Sequence, residues 1–393
     1  MTGRRDPVDV AVVGGGIVGA ASALFLARTG AEVALLEAAE LAGGTSGACE
    51  GNLLLWDKEL ERELPLAVRS HELWAELEEE LGGGFEFDRK GSVVVAETDV
   101  EVDALGARVR ALDEAGVPGG LLDRSGLLEE EPALAPDLPG GALFPEDAQV
   151  EPRLATLALA RAAQREGAVL LLGTPVREIL LGPGGRATAA VTDDGPLPAG
   201  AVVVACGVWS PRLVRGLGIE LPITPRKGHI LVTDRGAYRF RRKLSEASYL
   251  TAVESDSKSL RVAMVVESTA AGTVLIGSSR QHSDFDRAVD PDVAALVARR
   301  AIRFFPGLEG VRAIRAYTGL RPLSADHLPL IGSLPGYENV YVAAGHEGAG
   351  ISLAPATAEL VTSLVRGEGT PEAACWFAPE RFGAALEPSA TAG

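Results

Sequence analysis

Cysteine is scarce in this chain of 393 residues, which contains only Cys49, Cys206 and Cys375. Their odd number and wide spacing are typical neither of a disulfide framework nor of a zinc site. We therefore predict no metal centre. So few cysteines suit a reducing compartment.

Long apolar runs are also missing. No stretch reaches the 18 or more apolar residues that a membrane helix needs. The short apolar segment from Val8 to Val13 is broken by Gly14, too early for the apolar core of a signal peptide. We therefore expect no membrane span and a cytoplasmic location.

Basic residues are too few to form a nucleic-acid surface. The sequence has 37 Lys and Arg against 54 Asp and Glu, which gives a formal net charge of -17. Phosphate neutralisation needs a basic face, so no nucleic-acid partner is expected. The acidic runs Glu76 to Glu80 and Glu129 to Glu131 are typical of a solvated surface.

A glycine-rich turn near the start carries the clearest local signal. Val8 to Val13 has the pattern of a buried strand, and Ala20 to Arg28 has helical spacing. Between them lies the segment Gly14-Gly15-Gly16-Ile17-Val18-Gly19. A strand, a glycine turn and a helix in this order are typical of a dinucleotide-binding unit.

Glycine is required at three positions of this turn. Gly14 forms the turn, Gly16 lets the backbone approach a pyrophosphate, and Gly19 lets the helix pack closely on the strand. The helix N-terminus then offers amide groups and a positive dipole end to the phosphates. A second strand, Glu32 to Leu36, ends at Glu37, whose carboxylate is expected to bind ribose hydroxyls. The turn alone does not separate NAD from FAD.

The rest of the chain alternates between strand and helix patterns, which predicts two domains that the chain crosses more than once. The predicted helices are Leu64 to Leu81, Val100 to Ala115, Pro152 to Glu166 and Pro291 to Phe304. The predicted strands are Ser92 to Ala96, Gly141 to Phe144, Val169 to Leu172, Ala201 to Ala205, Ser259 to Val266 and Gly272 to Ser278. Of these, Val169 to Leu172 and Ala201 to Ala205 are expected to return to a parallel sheet. The last two are expected to be antiparallel strands of a second sheet.

Two further segments lack the pattern of a regular element. Leu41 to Asn52 is rich in small residues and reads as a loop that approaches a ligand closely. The tail from Leu386 to Gly393 is small and polar, and we expect it to be frayed.

Four other segments of the sequence stand out together. They are Glu151-Pro152, Val204-Ala205-Cys206-Gly207-Val208-Trp209-Ser210, Gly319-Leu320-Arg321-Pro322 with Asp326 and Pro329-Leu330-Ile331-Gly332, and Ala344-Gly345-His346-Glu347-Gly348-Ala349-Gly350-Ile351. Their order and spacing resemble the family of flavin amine oxidoreductases that contains glycine oxidase, sarcosine oxidase and D-amino-acid oxidase. The resemblance extends from Asp9 to about Arg366 and implies FAD, because a second glycine turn for NAD(P)H is missing.

The resemblance also implies a mixed α/β fold. In this fold an FAD-binding Rossmann-like domain is interleaved with a substrate domain built on a large antiparallel sheet. We assign residues 1–88, 150–222 and 316–393 to the FAD-binding domain. Residues 89–149 and 223–315 are assigned to the substrate-binding domain.

The resemblance places the chemistry on a few residues. Arg321 is expected to hold the substrate carboxylate through its planar guanidinium, although a structural salt bridge is the alternative. Asn52 and His346 are candidate catalytic residues, and His346 has a packing role as its alternative. The expected cofactor contacts are Gly14, Gly16, Ile17, Val18, Gly19, Glu37, Ala38, Thr45, Ser46, Gly51, Asn52, Val176, Ala205, Gly207, Trp209, Gly345, His346, Glu347, Gly348, Gly350 and Ile351.

The sequence departs from the family pattern at two places. Val265 stands where glycine oxidase-like members carry a tyrosine, so Tyr249 or Tyr317 is the candidate replacement, with packing as the alternative for both. Sarcosine oxidase-like members attach FAD through a cysteine before a Tyr-Thr pair, but here Arg315 and Ala316 precede that pair. We therefore expect noncovalent FAD.

The implied reaction is hydride transfer to flavin N5 from a carbon that bears an amine nitrogen, followed by hydrolysis of the imine. A D-amino acid, imino acid or opine is the first expectation for the substrate, and glycine or sarcosine the second. The expected electron acceptor is oxygen or a redox partner subunit. A homo-oligomer or a hetero-oligomer is compatible with either acceptor. The alternatives are a flavoprotein electron-transfer subunit without its own substrate and a nicotinamide dehydrogenase, which would be colourless.

Overall fold

The computed structural model describes residues 6–236, 238–253 and 259–386. The helices are α1 (Ile17–Arg28), α2 (Glu63–Leu81), α3 (Asp99–Glu114), α4 (Arg124–Glu130), α5 (Pro152–Arg165), α6 (Ser210–Val214), α7 (Ser248–Val253), α8 (Pro291–Phe304) and α9 (Gly350–Val365). The strands are β1 (Val8–Val13), β2 (Val33–Leu36), β3 (Asn52–Leu53), β4 (Ser92–Ala96), β5 (Gly120–Asp123), β6 (Gly140–Phe144), β7 (Ala148–Gln149), β8 (Val169–Leu171), β9 (Val176–Leu181), β10 (Ala187–Thr192), β11 (Gly195–Val204), β12 (Ile223–Thr233), β13 (Lys243–Glu246), β14 (Arg261–Ser268), β15 (Val274–His282), β16 (Ala313–Ser324), β17 (Leu330–Ser333) and β18 (Val340–Ala344).

The first sheet is mostly parallel and has the strand order β17-β18-β11-β1-β2-β8, with β10 and β9 continuing from β11. Strand β1 lies between β11 and β2 and runs parallel to both. Its alternate residues enter two different cores, Val10 and Val12 on one face and Ala11 and Val13 on the other. Because both faces are covered, every residue from Val10 onward in β1 is buried and apolar.

Helix α1 packs on this sheet and against α5 and α9. The close approach depends on Gly19, where a Cβ atom would come within 1.8 Å of the Gly14 carbonyl oxygen. The glycine turn therefore brings the start of α1 directly to the carboxyl end of β1, where α/β sheets bind their ligands.

The second sheet has the order β16-β12-β15-β14-β13-β4-β6-β5. Its pairs are antiparallel apart from β13 with β4. Helix α8 packs on β14, β12 and β15, and its apolar face buries Val297, Ala301 and Phe304. The long β12 and β16 pair in register, so that Gly228 faces Gly319 and Arg226 faces Arg321.

The predicted fold class is confirmed, because a mostly parallel sheet that carries the glycine turn is interleaved with a large, mostly antiparallel sheet. Several bounds differ from those predicted. Strand β11 begins at Gly195 because it first forms a hairpin with β10, and β15 begins at Val274 because Gly272 is a turn residue with φ of +80°. The loop from Leu41 to Asn52 contains one short 3₁₀ turn, Thr45–Ala48.

The predicted division into domains stays a prediction, and one of its boundaries meets a continuous strand. Strand β16 belongs to the second sheet throughout, and the boundary at residue 316 falls inside it. The predicted frayed tail lies outside the described residues apart from Leu386. Among the described residues, no helix is long and apolar enough to cross a membrane.

Candidate active site

A cavity of about 650 Å³ is lined by residues of both sheets, a size usual for ligand sites. One end lies at the glycine turn between β1 and α1. The other end lies at β12 and β16, where Gly228, Gly319 and Arg321 line the wall.

The glycine turn is shaped for close contact with a ligand. Gly14 has φ of +116°, and a Cβ atom there would be 2.4 Å from the Ala205 carbonyl oxygen. Glu37 at the end of β2 is held by two backbone donors, since it accepts hydrogen bonds from Gly15 N at 2.7 Å and Ala39 N at 2.8 Å. Its carboxylate is thus fixed beside the turn, where acceptor capacity remains for a hydroxyl group.

The start of α1 has the electrostatics of an anion site. Its first turn has no acidic residue and its N-cap is Gly16, which offers no side chain. Ser46 Oγ accepts a hydrogen bond from Ile17 N at 3.0 Å and so fixes the loop against the helix start. The positive end of the helix dipole is then directed at the cavity.

The loop from Leu41 to Asn52 crosses from the glycine turn to the second sheet. Thr45 Oγ1 donates to the Leu320 carbonyl at 2.6 Å, which ties the loop to β16. Gly51 has φ of +81°, and a Cβ atom there would be 1.9 Å from the Val150 carbonyl oxygen. Asn52 Oδ1 is buried without a hydrogen-bond partner among the described residues, so it is available to a bound molecule.

Arg321 lies on β16 with its guanidinium between two glycines. Its Nη1 donates to the Ser279 carbonyl at 2.9 Å. A Cβ atom at Gly228 would be 2.3 Å from Nη1, and one at Gly348 would be 3.8 Å from Nε. The missing side chains leave room for the planar group, whose remaining donors can bind a carboxylate bidentately.

Glu347 follows His346 in a strained turn with φ of +47°. Its Oε1 is 3.5 Å from Arg226 Nη1 and 3.6 Å from Arg280 Nε. Burial alone would raise the pKa of Glu347, but Arg280, Arg321 and Arg226 together hold it below its usual value. Arg226 and Arg280 are 1% and 2% exposed, whereas Arg321 lines the cavity.

His346 is buried, and its Nε2 is 3.0 Å from Thr357 Oγ1 on α9. Burial lowers its pKa to about 4, so the imidazole is neutral at physiological pH. Helix α9 begins next to it, without an acidic residue in the first turn and without a side-chain cap. This end of the cavity therefore also faces a positive helix terminus.

Two cysteines line the cavity, and their thiol groups are unreactive. Cys49 Sγ donates to the Ser46 carbonyl at 3.2 Å, and Cys206 Sγ donates to the Val13 carbonyl at 3.1 Å. Burial raises the pKa of each thiol to about 12, so both stay protonated and are poor nucleophiles.

The structure brings together nearly all of the residues singled out from the sequence. Those that line the cavity are Gly14, Gly16, Ile17, Val18, Glu37, Ala38, Thr45, Ser46, Gly51, Asn52, Val176, Ala205, Gly207, Trp209, Arg321, His346, Glu347, Gly348, Gly350 and Ile351. Gly19 and Gly345 do not line it. Gly19 lies at the α1 contact with Gly14, and a Cβ atom at Gly345 would be 2.9 Å from the Leu330 side chain.

Sequence reasoning missed other cavity residues, among them Glu50, Gly228, Arg212 and Arg287. Glu50 lies in the loop predicted to approach a ligand but was not singled out within it, and no local motif marks the other three. Of the two candidate tyrosines, Tyr249 lines the cavity, and Tyr317 has Arg315 stacked on its ring at 5.3 Å. The described residues contain no group of three or more His, Cys, Asp or Glu able to hold a metal ion.

This cavity fits FAD on its own geometry. Four features suit a dinucleotide that extends to β16: the glycine turn with no room for a Cβ atom, the start of α1 whose N-cap Gly16 has no side chain, the fixed Glu37 carboxylate and the unpaired Asn52 oxygen. The family described as FAD dependent oxidoreductase (DAO) matches residues 9–364. The chain belongs to this family, and its cofactor is FAD.

Relatives of this chain include proteins named glycine oxidase and D-amino acid dehydrogenase. The chain is 32% identical to a glycine oxidase of Geobacillus kaustophilus, over 92% of this chain and 94% of the relative. It is 30% identical to a D-amino acid dehydrogenase of Methylobacterium nodulans, over 91% and 95%. The crystal structure of glycine oxidase from Geobacillus kaustophilus superposes with a TM-score of 0.87 at 30% identity, covering 96% of this chain and 99% of that one.

Proposed function

We propose that this flavoprotein oxidises an amino acid at the carbon that bears the nitrogen. The product is an imine, which water hydrolyses to an oxo acid and an amine or ammonia. One observation carries the proposal, namely the guanidinium of Arg321 held open on the cavity wall between Gly228 and Gly348. The relatives named glycine oxidase and D-amino acid dehydrogenase support it.

The cavity has separate places for cofactor and substrate. The start of α1 would hold the pyrophosphate of FAD, Glu37 would bind the ribose, and Asn52 would contact the ring system or the substrate. FAD, when bound, supplies the acceptor for the hydride at its N5 atom. The start of α9 would favour negative charge on a flavin bound beside it.

The chain contributes mainly orientation to the reaction. Arg321 binds the substrate carboxylate with two parallel hydrogen bonds, which fixes the position of the neighbouring C–H bond. His346 is neutral and paired with Thr357, so it holds the loop at the cavity rather than supplying a charge. Oxidation of an amine in its neutral form needs no strong base in the protein.

The electron acceptor is either oxygen or a partner protein. The similarity to a glycine oxidase supports oxygen as the acceptor, and the similarity to a D-amino acid dehydrogenase supports a redox partner. In both cases the chemistry at the substrate is the same, and only the reoxidation differs.

The test is anaerobic mixing of the purified yellow protein with glycine, sarcosine, D-proline, D-hydroxyproline, other D-amino acids and opines. We expect at least one of them to bleach the flavin absorption. Rapid recovery of the colour in air identifies an oxidase, whereas slow recovery identifies a dehydrogenase. A flavin that no amine in the panel bleaches would refute the proposed function.

A further inference from the structure

A second charged group, the Glu50 carboxylate, lies in the cavity near Arg321. Glu50 is 6% exposed and lines the cavity wall. Its Oε1 atom is buried and has no hydrogen-bond partner among the described residues. A buried carboxylate oxygen without a donor is costly in free energy, so a donor from a bound molecule would be stabilising there.

Two buried cations that interact electrostatically with Glu50 have other partners. Lys243 donates a hydrogen bond to Glu267, and both side chains are 2% exposed. Arg280 Nε is 3.6 Å from Glu347 Oε1, and its guanidinium lies 4.4 Å from the centre of the Tyr249 ring. Neither of them donates a hydrogen bond to Glu50, and its Oε1 atom still lacks a donor.

Glu50 and Arg321 both contact strand β15. A Cβ atom at Gly277 would be 1.9 Å from Glu50 Oε1, and the Ser279 carbonyl accepts from Arg321. The two contact points are two residues apart on β15, so the chain between them spans at most about 7 Å. In an α-amino acid the nitrogen and the carboxylate carbon are about 2.5 Å apart, and each charge-assisted hydrogen bond adds about 2.8 Å. A zwitterion can therefore span the two groups.

We propose that Glu50 binds the amino group of the substrate, which arrives as an ammonium and loses one proton to solvent before oxidation, while Arg321 binds its carboxylate; the site is therefore selective for zwitterionic amino acids. The inference rests on the proposed function and deepens it. The fold alone does not select nitrogen over oxygen at the oxidised carbon. A 2-hydroxy acid offers Glu50 only a neutral hydroxyl, which is a weaker partner than an ammonium. Glu50 is thus a residue that determines specificity.

The test compares ligands that differ only in the amine. Glycine and D-alanine are titrated against the wild-type protein and Glu50→Gln, with acetate and propionate as the analogues without nitrogen. Binding is followed by the flavin spectrum, or by rapid anaerobic mixing when the ligand reduces the flavin. We expect Glu50→Gln to raise the Kd of the amino acids about tenfold to a hundredfold, and to change the Kd of acetate and propionate less than about twofold. The exposed Glu178→Gln on β9 is the matched control and leaves all four unchanged.

A purely structural role of Glu50 predicts that both ligand types weaken together, and that result would overturn the inference. Unchanged amino-acid binding in Glu50→Gln would overturn it as well. If Glu50→Gln fails to fold, Glu50→Asp keeps the charge and is expected to keep the preference for glycine over acetate. A wild-type protein that prefers glycine to acetate but is reduced by no amine would refute the proposed oxidation and leave the Glu50 site standing. A wild-type protein that prefers acetate would overturn the Glu50 site.

Discussion

Replacement of Arg321 by methionine removes the group that we propose to bind the substrate carboxylate. One donor of the guanidinium, on Nη1, is used by the Ser279 carbonyl at 2.9 Å. The other donors remain for two parallel hydrogen bonds to a carboxylate. Methionine has a similar length and is apolar, so the cavity wall is kept while the donors are lost.

The expected loss in binding follows from these two hydrogen bonds. Each bond to a charged group contributes about 1.5 to 3 kcal/mol. Because Arg321 is only half-buried, the lower end of this energy range applies. Loss of both bonds should weaken propionate binding by about 3 kcal/mol, which raises the Kd roughly a hundredfold. The Ser279 carbonyl also loses a donor, which costs about 1 to 3 kcal/mol of folding free energy.

The assay is titration of the oxidised protein with propionate, followed by the flavin absorption spectrum. Thermal unfolding checks that the variant is folded. Arg315→Met is the matched control, since Arg315 is exposed on the same strand and should leave the Kd unchanged. Equal propionate affinity in Arg321→Met and wild type would refute the assignment of Arg321.

Four further results are expected. Gly14→Ala should abolish FAD binding, because its Cβ atom would meet the Ala205 carbonyl oxygen at 2.4 Å; retained yellow colour after purification would contradict this. Gly228→Ala should keep the flavin but weaken propionate binding at least about tenfold, since its Cβ atom would be 2.3 Å from Arg321 Nη1; unchanged affinity would show that the glycine is not required. Acid precipitation should release the FAD into the supernatant, and a yellow pellet would instead show a covalent bond. Burial lowers the pKa of His346 to about 4, whereas an unfolded histidine titrates near about 6.5. The free energy of unfolding therefore keeps its full value above this pH and falls by at most about 3 kcal/mol as the pH drops toward 4. Unfolding temperatures of His346→Gln should depend less on pH in that window, and equal slopes would contradict the burial.

The nucleotide half of the site could be predicted from the sequence because its constraints are local. Gly14 and Gly16 lie in one turn, and Glu37 ends the next strand, so the pattern of strand, turn and helix places them together. Alternating strands and helices predicted two interleaved domains, and the resemblance supplied the fold class. The resemblance added Arg321, whose motif is short and contiguous.

The substrate half depends on contacts that no local pattern encodes. Gly228 acquires its role only through the register of β12 on β16. Glu50 enters the wall through loop packing against Gly277, more than 200 residues away. The end of β15 at His282 depends in the same way on pairing with β12. Such long-range pairing cannot be obtained from one sequence by periodicity alone.

The central claim is that the carbon bearing nitrogen is oxidised, and a single anaerobic turnover tests it most directly. The protein is mixed with an excess of an amino acid that bleaches its flavin, and the products are measured by mass spectrometry. For a primary amine we predict one equivalent each of oxo acid and ammonia per flavin reduced. Bleaching that yields no oxo acid, or no bleaching by any amino acid, would contradict the account.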